Sequence, residues 1–90
     1  MELKEACVKA LRILKKEYND EGFSAILDAG DRWIFSGCNK KHEVLYGKPE
    51  ITVYKDTGKT EYFLVFDGDN LAILERAVKV EIPKEYIVWL

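Results

Sequence analysis

Residues 49–66 read Pro-Glu-Ile-Thr-Val-Tyr-Lys-Asp-Thr-Gly-Lys-Thr-Glu-Tyr-Phe-Leu-Val-Phe, two β-prone runs parted by a polar turn. β-Branched and aromatic residues on both sides of Lys55-Asp56-Thr57-Gly58-Lys59 predict a hairpin. Gly58 stands where such a turn needs positive φ, which glycine adopts at little cost. Alternation puts Ile51 and Val53 on one face of the outgoing strand and Thr52 and Tyr54 on the other. In the returning strand Tyr62, Leu64 and Phe66 oppose Glu61, Phe63 and Val65. That strand is apolar on both faces, so something must cover each side of the sheet.

Residues 2–21 supply one cover. Leu3, Ala6, Cys7, Ala10, Leu11, Leu14 and Tyr18 recur at three- and four-residue steps and form one apolar stripe of a helix. Glu2 and Glu5 at its start, and Lys15 and Lys16 near its end, suit the helix dipole. Gly22 is the expected stop. Residues 23–28 and 32–38 predict a second hairpin across Asp28-Ala29-Gly30-Asp31. Phe23, Ala25 and Leu27 share one face of its first strand. Trp33 and Phe35 oppose Ile34 and Ser36 in its second. Residues 37–48 are polar and read as a loop with a short paired piece at 43–46. Asp67-Gly68-Asp69-Asn70 ends the fourth strand and opens a second helix over 69–79, with Leu71, Leu74 and Val78 on one face. Residues 80–82 read as extended because Pro83 follows. The tail from Tyr86 to Leu90, with Trp89, is too apolar to stay in water and should pack on the core or on another chain.

These elements predict a single α+β domain over 1–90. An N-terminal amphipathic helix packs on an antiparallel sheet of about four strands, with a short second helix near the C-terminus. Ninety residues leave no room for a second core. Fourteen basic and sixteen acidic residues are mixed along the chain, with no polybasic run. A nucleic acid or a membrane surface therefore has no electrostatic footprint here. No signal-like start and no membrane-length apolar run point away from the cytoplasm.

Catalytic chemistry finds few residues. His42 lies four residues after Cys38 in a polar loop, but no nucleophile turn or oxyanion hole accompanies the pair, and the spacing fits no common zinc pattern. Asp67, Asp69 and Asn70 resemble the opening of a calcium loop, yet the glycine is misplaced and Val78 stands where a bidentate glutamate belongs. Turn and cap duty accounts for these acids and for Asp28 and Asp31. Cys7 and Cys38 are too few for a disulfide framework and read as reduced thiols. No enzyme, metal or cofactor is called for, and a protein-binding role is the better reading.

One resemblance adds to this. A Trp-x-Phe strand (Trp33, Phe35) follows the helix, then a Gly-x-Pro lead-in (Gly47, Pro49), then an Ile-x-Val-x-Lys-x-Thr-Gly hairpin (Ile51, Val53, Lys55, Thr57, Gly58). Over roughly residues 3–62 this pattern resembles the immunity protein 35 family, small bacterial α+β proteins of polymorphic toxin systems. The resemblance implies a protein that neutralises a cognate toxin by non-covalent binding and catalyses nothing. The hairpin is also similar to that of PepSY-type domains, so the rival reading is a PepSY-like or chaperone-like accessory domain; the apolar residues left on the second sheet face allow self-association, with a second copy of the chain as partner. A binding surface of this kind uses aromatic anchors, for which Trp33, Tyr54 and Phe63 are the candidates. Asp28, Asp31, Glu50 and Glu61 are the candidate rim charges. For each residue the plainer reading is core for Trp33 and solvated turn or strand positions for the acids.

Overall fold

A computed structural model describes residues 1–41 and 48–88. His42 and its pairing with Cys38, the paired piece at 43–46, Gly47 and Trp89 lie outside the described residues. Helix α1 is Leu3–Tyr18. Strands β1 (Gly22–Asp28), β2 (Arg32–Cys38), β3 (Glu50–Tyr54) and β4 (Thr60–Phe63) follow. Helix α2 is Asn70–Arg76, and Val78–Lys79 forms a two-residue β5. A 3-10 turn, Lys84–Tyr86, closes the described chain. All pairings are antiparallel, in the order β4-β3-β2-β1-β5.

The sheet thus has five strands among the described residues, not about four. Val78 and Lys79 pair with Asp28 and Leu27, and Val80 N–H donates to Ile26. The second helix correspondingly ends at Arg76 rather than at Lys79, since β-branched Val78 gains a strand partner there. Its inward face is Ile73, with Leu74 and Ala77 beside it; Leu71 and Val78 are exposed.

Helix α1 stops at Asn19, which takes the left-handed conformation (φ 58°) and sends its N–H to Leu14 and Lys15 carbonyls. Asparagine tolerates that region better than most residues. Gly22, the expected stop, instead opens β1. A Cβ there would lie 2.1 Å from the Tyr86 carbonyl oxygen, so the position needs glycine for close approach of the C-terminal segment. Tyr86 in turn packs on Phe23 with ring centroids 5.2 Å apart, which brings this part of the tail onto the core.

Two apolar layers sandwich the sheet. Under α1, Ala6, Cys7, Ala10 and Leu14 meet Trp33, Phe35, Ile51 and Val53. On the opposite face Ile34 and Phe63 meet Ala29 and Ile73, with Leu27 and Leu74 alongside. The second helix and the segment leading to it are therefore the second cover. The alternation of β2 and β3 holds. That of β1 does not: its register slips between Phe23 and Ala25, a bulge at Ser24. The extra residue turns Phe23 and Ile26 toward α1 and Leu27 toward the other layer, so Phe23 and Leu27 do not share a face.

Thr52 is wholly buried in β3, and its hydroxyl has no hydrogen-bond partner among the described residues. An unpaired buried hydroxyl costs on the order of 1 kcal/mol or more, which an apolar group of the same shape avoids. Thr52→Val should raise the midpoint of thermal unfolding by roughly 4–8 °C, read by circular dichroism.

Candidate partner-binding surface

The two hairpin turns lie at one end of the sheet, because β1–β2 and β3–β4 both reverse there. Five of the seven residues expected at a partner surface meet at or near this end. On the α2 side, Arg32 pairs with Asp31 through Nε and NH2 at 2.8 and 2.9 Å, and its NH1 donates to the Tyr54 hydroxyl at 3.2 Å. The guanidinium also stacks over the Tyr54 ring, 4.6 Å from its centroid, and the Tyr54 hydroxyl donates to Glu61. On the α1 side, Lys55 Nζ donates to Asp28 Oδ1 at 2.8 Å and lies 5.0 Å from the Trp33 ring centroid. Asp28 Oδ1 also accepts the Gly30 N–H, which ties down a turn where Gly30 has φ 92°. Sequence reasoning misses Arg32 and Lys55; their signal is opposite charge next to Asp31 and across the turns from Asp28.

The electrostatics follow from these contacts. The Lys55 hydrogen bond, helped by the Gly30 N–H, holds the Asp28 carboxyl below its ordinary value. The Arg32 bond does the same for Asp31. The bond to Glu61 pushes the Tyr54 hydroxyl up. Both aspartates bind a proton less readily in the folded chain than in the unfolded one. Their contribution to stability is therefore present above the ordinary Asp value of about 3.9 and is lost as pH falls through the lower folded values. Urea unfolding followed from pH 7 down to pH 2 should show stability falling below about pH 4, with a smaller fall in the Asp28→Asn, Asp31→Asn variant.

Trp33 and Phe63 are not surface anchors. Trp33 is 8% exposed beneath α1, and Phe63 is 2% exposed in the second layer. Each points inward because strand alternation puts it on a covered face. Glu50 stands apart from the charged end and pairs in register with Phe63 at the other end of the hairpin. It lines a groove with Lys48, Pro49, Leu64 and Phe66.

Three of the exposed large apolar residues, Tyr62, Leu64 and Phe66, lie in β4 or the segment that follows it. The apolar run predicts a strand as far as Phe66, but β4 ends at Phe63. The Leu64 carbonyl accepts both the Asp67 N–H and the Asn70 side-chain amide, so the chain turns out of the sheet. Leu64 is about half exposed as a result, at 49%, and Phe66 is 95% exposed; Tyr62, still within β4, is 52% exposed at the sheet edge. The apolar character of Leu64 and Phe66 is plain in the sequence; their place outside a strand is not.

Elsewhere the chemistry is quiet. Burial, with the Glu85 charge adding to it, pushes the Cys7 thiol up to about 11, so it stays protonated and unreactive near neutrality. No disulfide joins Cys7 and Cys38. Among the described residues no three His, Cys, Asp or Glu side chains are grouped to hold a metal ion, and no helix is long and apolar enough to cross a membrane. Comparison with known protein families, curated proteins and solved structures finds no match to this chain.

Proposed function

We propose that this chain is a non-enzymatic binding protein whose contact surface is the β4 margin and the segment that follows it. The observation that carries the reading is Phe66, an aromatic side chain left 95% in water on a groove that it lines with half-exposed Leu64. Exposed apolar residues rimmed by charge are typical of protein contacts. Glu50 and Glu61 supply rim charge along this margin, with Tyr54, Asp28 and Asp31 at the turn end. The Asp31–Arg32–Tyr54–Glu61 network holds its side chains in place before any partner arrives, which lowers the ordering cost of association.

The resemblance to the immunity protein 35 family gives the partner class: a toxin domain, masked by non-covalent binding in the cytoplasm. The test is affinity capture, with tagged protein as bait in lysate of the source organism and mass spectrometry after a salt wash. A single stoichiometric partner with toxin-like chemistry supports the reading. Recovery of the bait alone, from lysate in which the candidate toxin is expressed, contradicts it and favours a self-associating domain.

A further inference from the structure

Among the described residues strand β4 pairs only with β3, and its other edge is open. Which backbone groups face outward follows from the register. Tyr54 bonds to Lys59 and Gly58 at the turn (2.9 and 2.8 Å), which makes this a hydrogen-bonded position of the ladder. Thr52 opposite Glu61 is the next one. Thr60 and Tyr62 are the alternate positions, so their N–H and C=O groups point away from β3. Among the described residues nothing accepts or donates to them.

Beside this open edge runs a groove between α1 and β4, about 280 Å³, lined by Ile13, Lys16, Glu17, Ile51, Thr60 and Tyr62 among others. It is smaller than most small-molecule sites, which span roughly 300–1,000 Å³, but suits a side chain or two. It continues toward the turn past Arg12, Lys9 and Lys59. Cations outnumber anions along it. Lys9, Arg12, Lys16 and Lys59 face Glu17 and Glu61, and Glu17 already accepts the Tyr62 hydroxyl. This basic strip stands out on a chain of net charge −2.

We infer that an extended, acidic segment of a partner protein adds to the β4 edge as a further strand. Its main chain bonds to Thr60 and Tyr62, one apolar side chain enters the groove over Ile13, and its carboxylates meet Arg12 and Lys16. Strand addition between an edge strand and a helix draws affinity from main-chain bonds and specificity from alternate side chains. Charge selects the partner. Pairing β4 with a second copy of itself brings the two basic helix faces toward one another, which like charges oppose. The inference rests on the binding role proposed above and names the chemistry of the partner.

The test starts from a random-peptide display library panned on the immobilised protein, with recovered peptides titrated by fluorescence anisotropy. Recovered sequences should alternate apolar and acidic residues, and added salt should weaken them. Tyr62→Pro removes an outward N–H and leaves the β3 ladder intact, as proline does on an open edge. It should weaken binding about tenfold or more. Arg12→Glu with Lys16→Glu should weaken it by roughly as much. In the wild-type complex the Thr60 and Tyr62 amides should gain protection from hydrogen exchange, a readout that needs no variant. Basic or uncharged recovered peptides, no enrichment at all, or unprotected amides at Thr60 and Tyr62 would overturn the inference. A partner captured equally by wild type and a folded Tyr62→Pro leaves the binding role standing and removes strand addition. A wild type that captures no partner yet binds acidic peptides at this edge removes the proposed role and keeps the edge chemistry.

Discussion

Lys48→Met should destabilise the protein by roughly 3–5 kcal/mol, a large loss for a side chain that water still reaches. Asp20 follows the end of α1 and is wholly buried, and Lys48 Nζ lies 2.6 Å from its Oδ2. Among the described residues neither carboxylate oxygen receives a well-angled hydrogen bond, so the attraction to Lys48 is chiefly between charges. The lysine ammonium also lies over the Tyr18 ring, 5.1 Å from its centroid, and Nζ reaches the Gly37 carbonyl at 3.4 Å. Removing the cation leaves a carboxylate with neither water nor partner. The opposite change is gentler. Asp20→Asn leaves Lys48 unpaired, but Lys48 is 16% exposed and can turn toward solvent. Urea unfolding of both variants at neutral pH should show Lys48→Met as clearly the less stable. Equal losses would mean the buried carboxylate is not the costly partner.

A comparable loss is expected from Phe35→Ala, about 3–5 kcal/mol. Phe35 is fully buried in the middle of β2, between Ile26 on β1 and Ile51 on β3, and its ring lies 5.0 Å from that of Phe23. Helix α1 closes over this position with Cys7, Ala10 and Leu14, so little can collapse into the space. Small domains have total stabilities near the low end of roughly 5–15 kcal/mol, so the variant should be near its unfolding transition at room temperature. Phe66→Ala is the internal control. The same residue type, 95% exposed, should change stability by no more than about 0.5 kcal/mol.

Much of this fold is legible because its hydrophobic periods are clean. The α1 stripe, the inward Trp33 and Phe35, and the Ile51/Val53 face each repeat without interruption and pack as their spacing implies. Gly58 takes its positive φ (71°) because the β3–β4 turn leaves no other backbone route. Three features have no such signal. The bulge at Ser24 is hidden because Ala25 and Ile26 are both apolar, so either register reads as amphipathic. Strand β4 stops at Phe63 although Leu64, Val65 and Phe66 all favour β structure. The decision lies with Asp67 and Asn70, whose bonds to the Leu64 carbonyl are not visible as a pattern. Strand β5 exists through pairing with β1, a long-range contact that two residues cannot announce.

The candidate surface is legible to a lesser degree. Asp28, Asp31, Tyr54 and Glu61 gather at one end of the sheet, where they find Arg32 and Lys55. Aromatic type alone does not separate Trp33 and Phe63, which are buried, from Tyr62 and Phe66, which are not. That distinction depends on what covers each position: α1 closes over Trp33 and Ile73 of α2 over Phe63, while Tyr62 and Phe66 lie at the uncovered β4 margin.

The central claim is that the β4 margin is a protein-binding surface, and one comparison tests it most directly. Wild type and a Leu64→Ser, Phe66→Ser variant are used side by side as bait for capture from the same lysate, after both are shown to unfold at the same temperature. The account predicts that wild type retains a stoichiometric partner and the variant loses it. A partner held equally by both would place the binding surface elsewhere and contradict the claim.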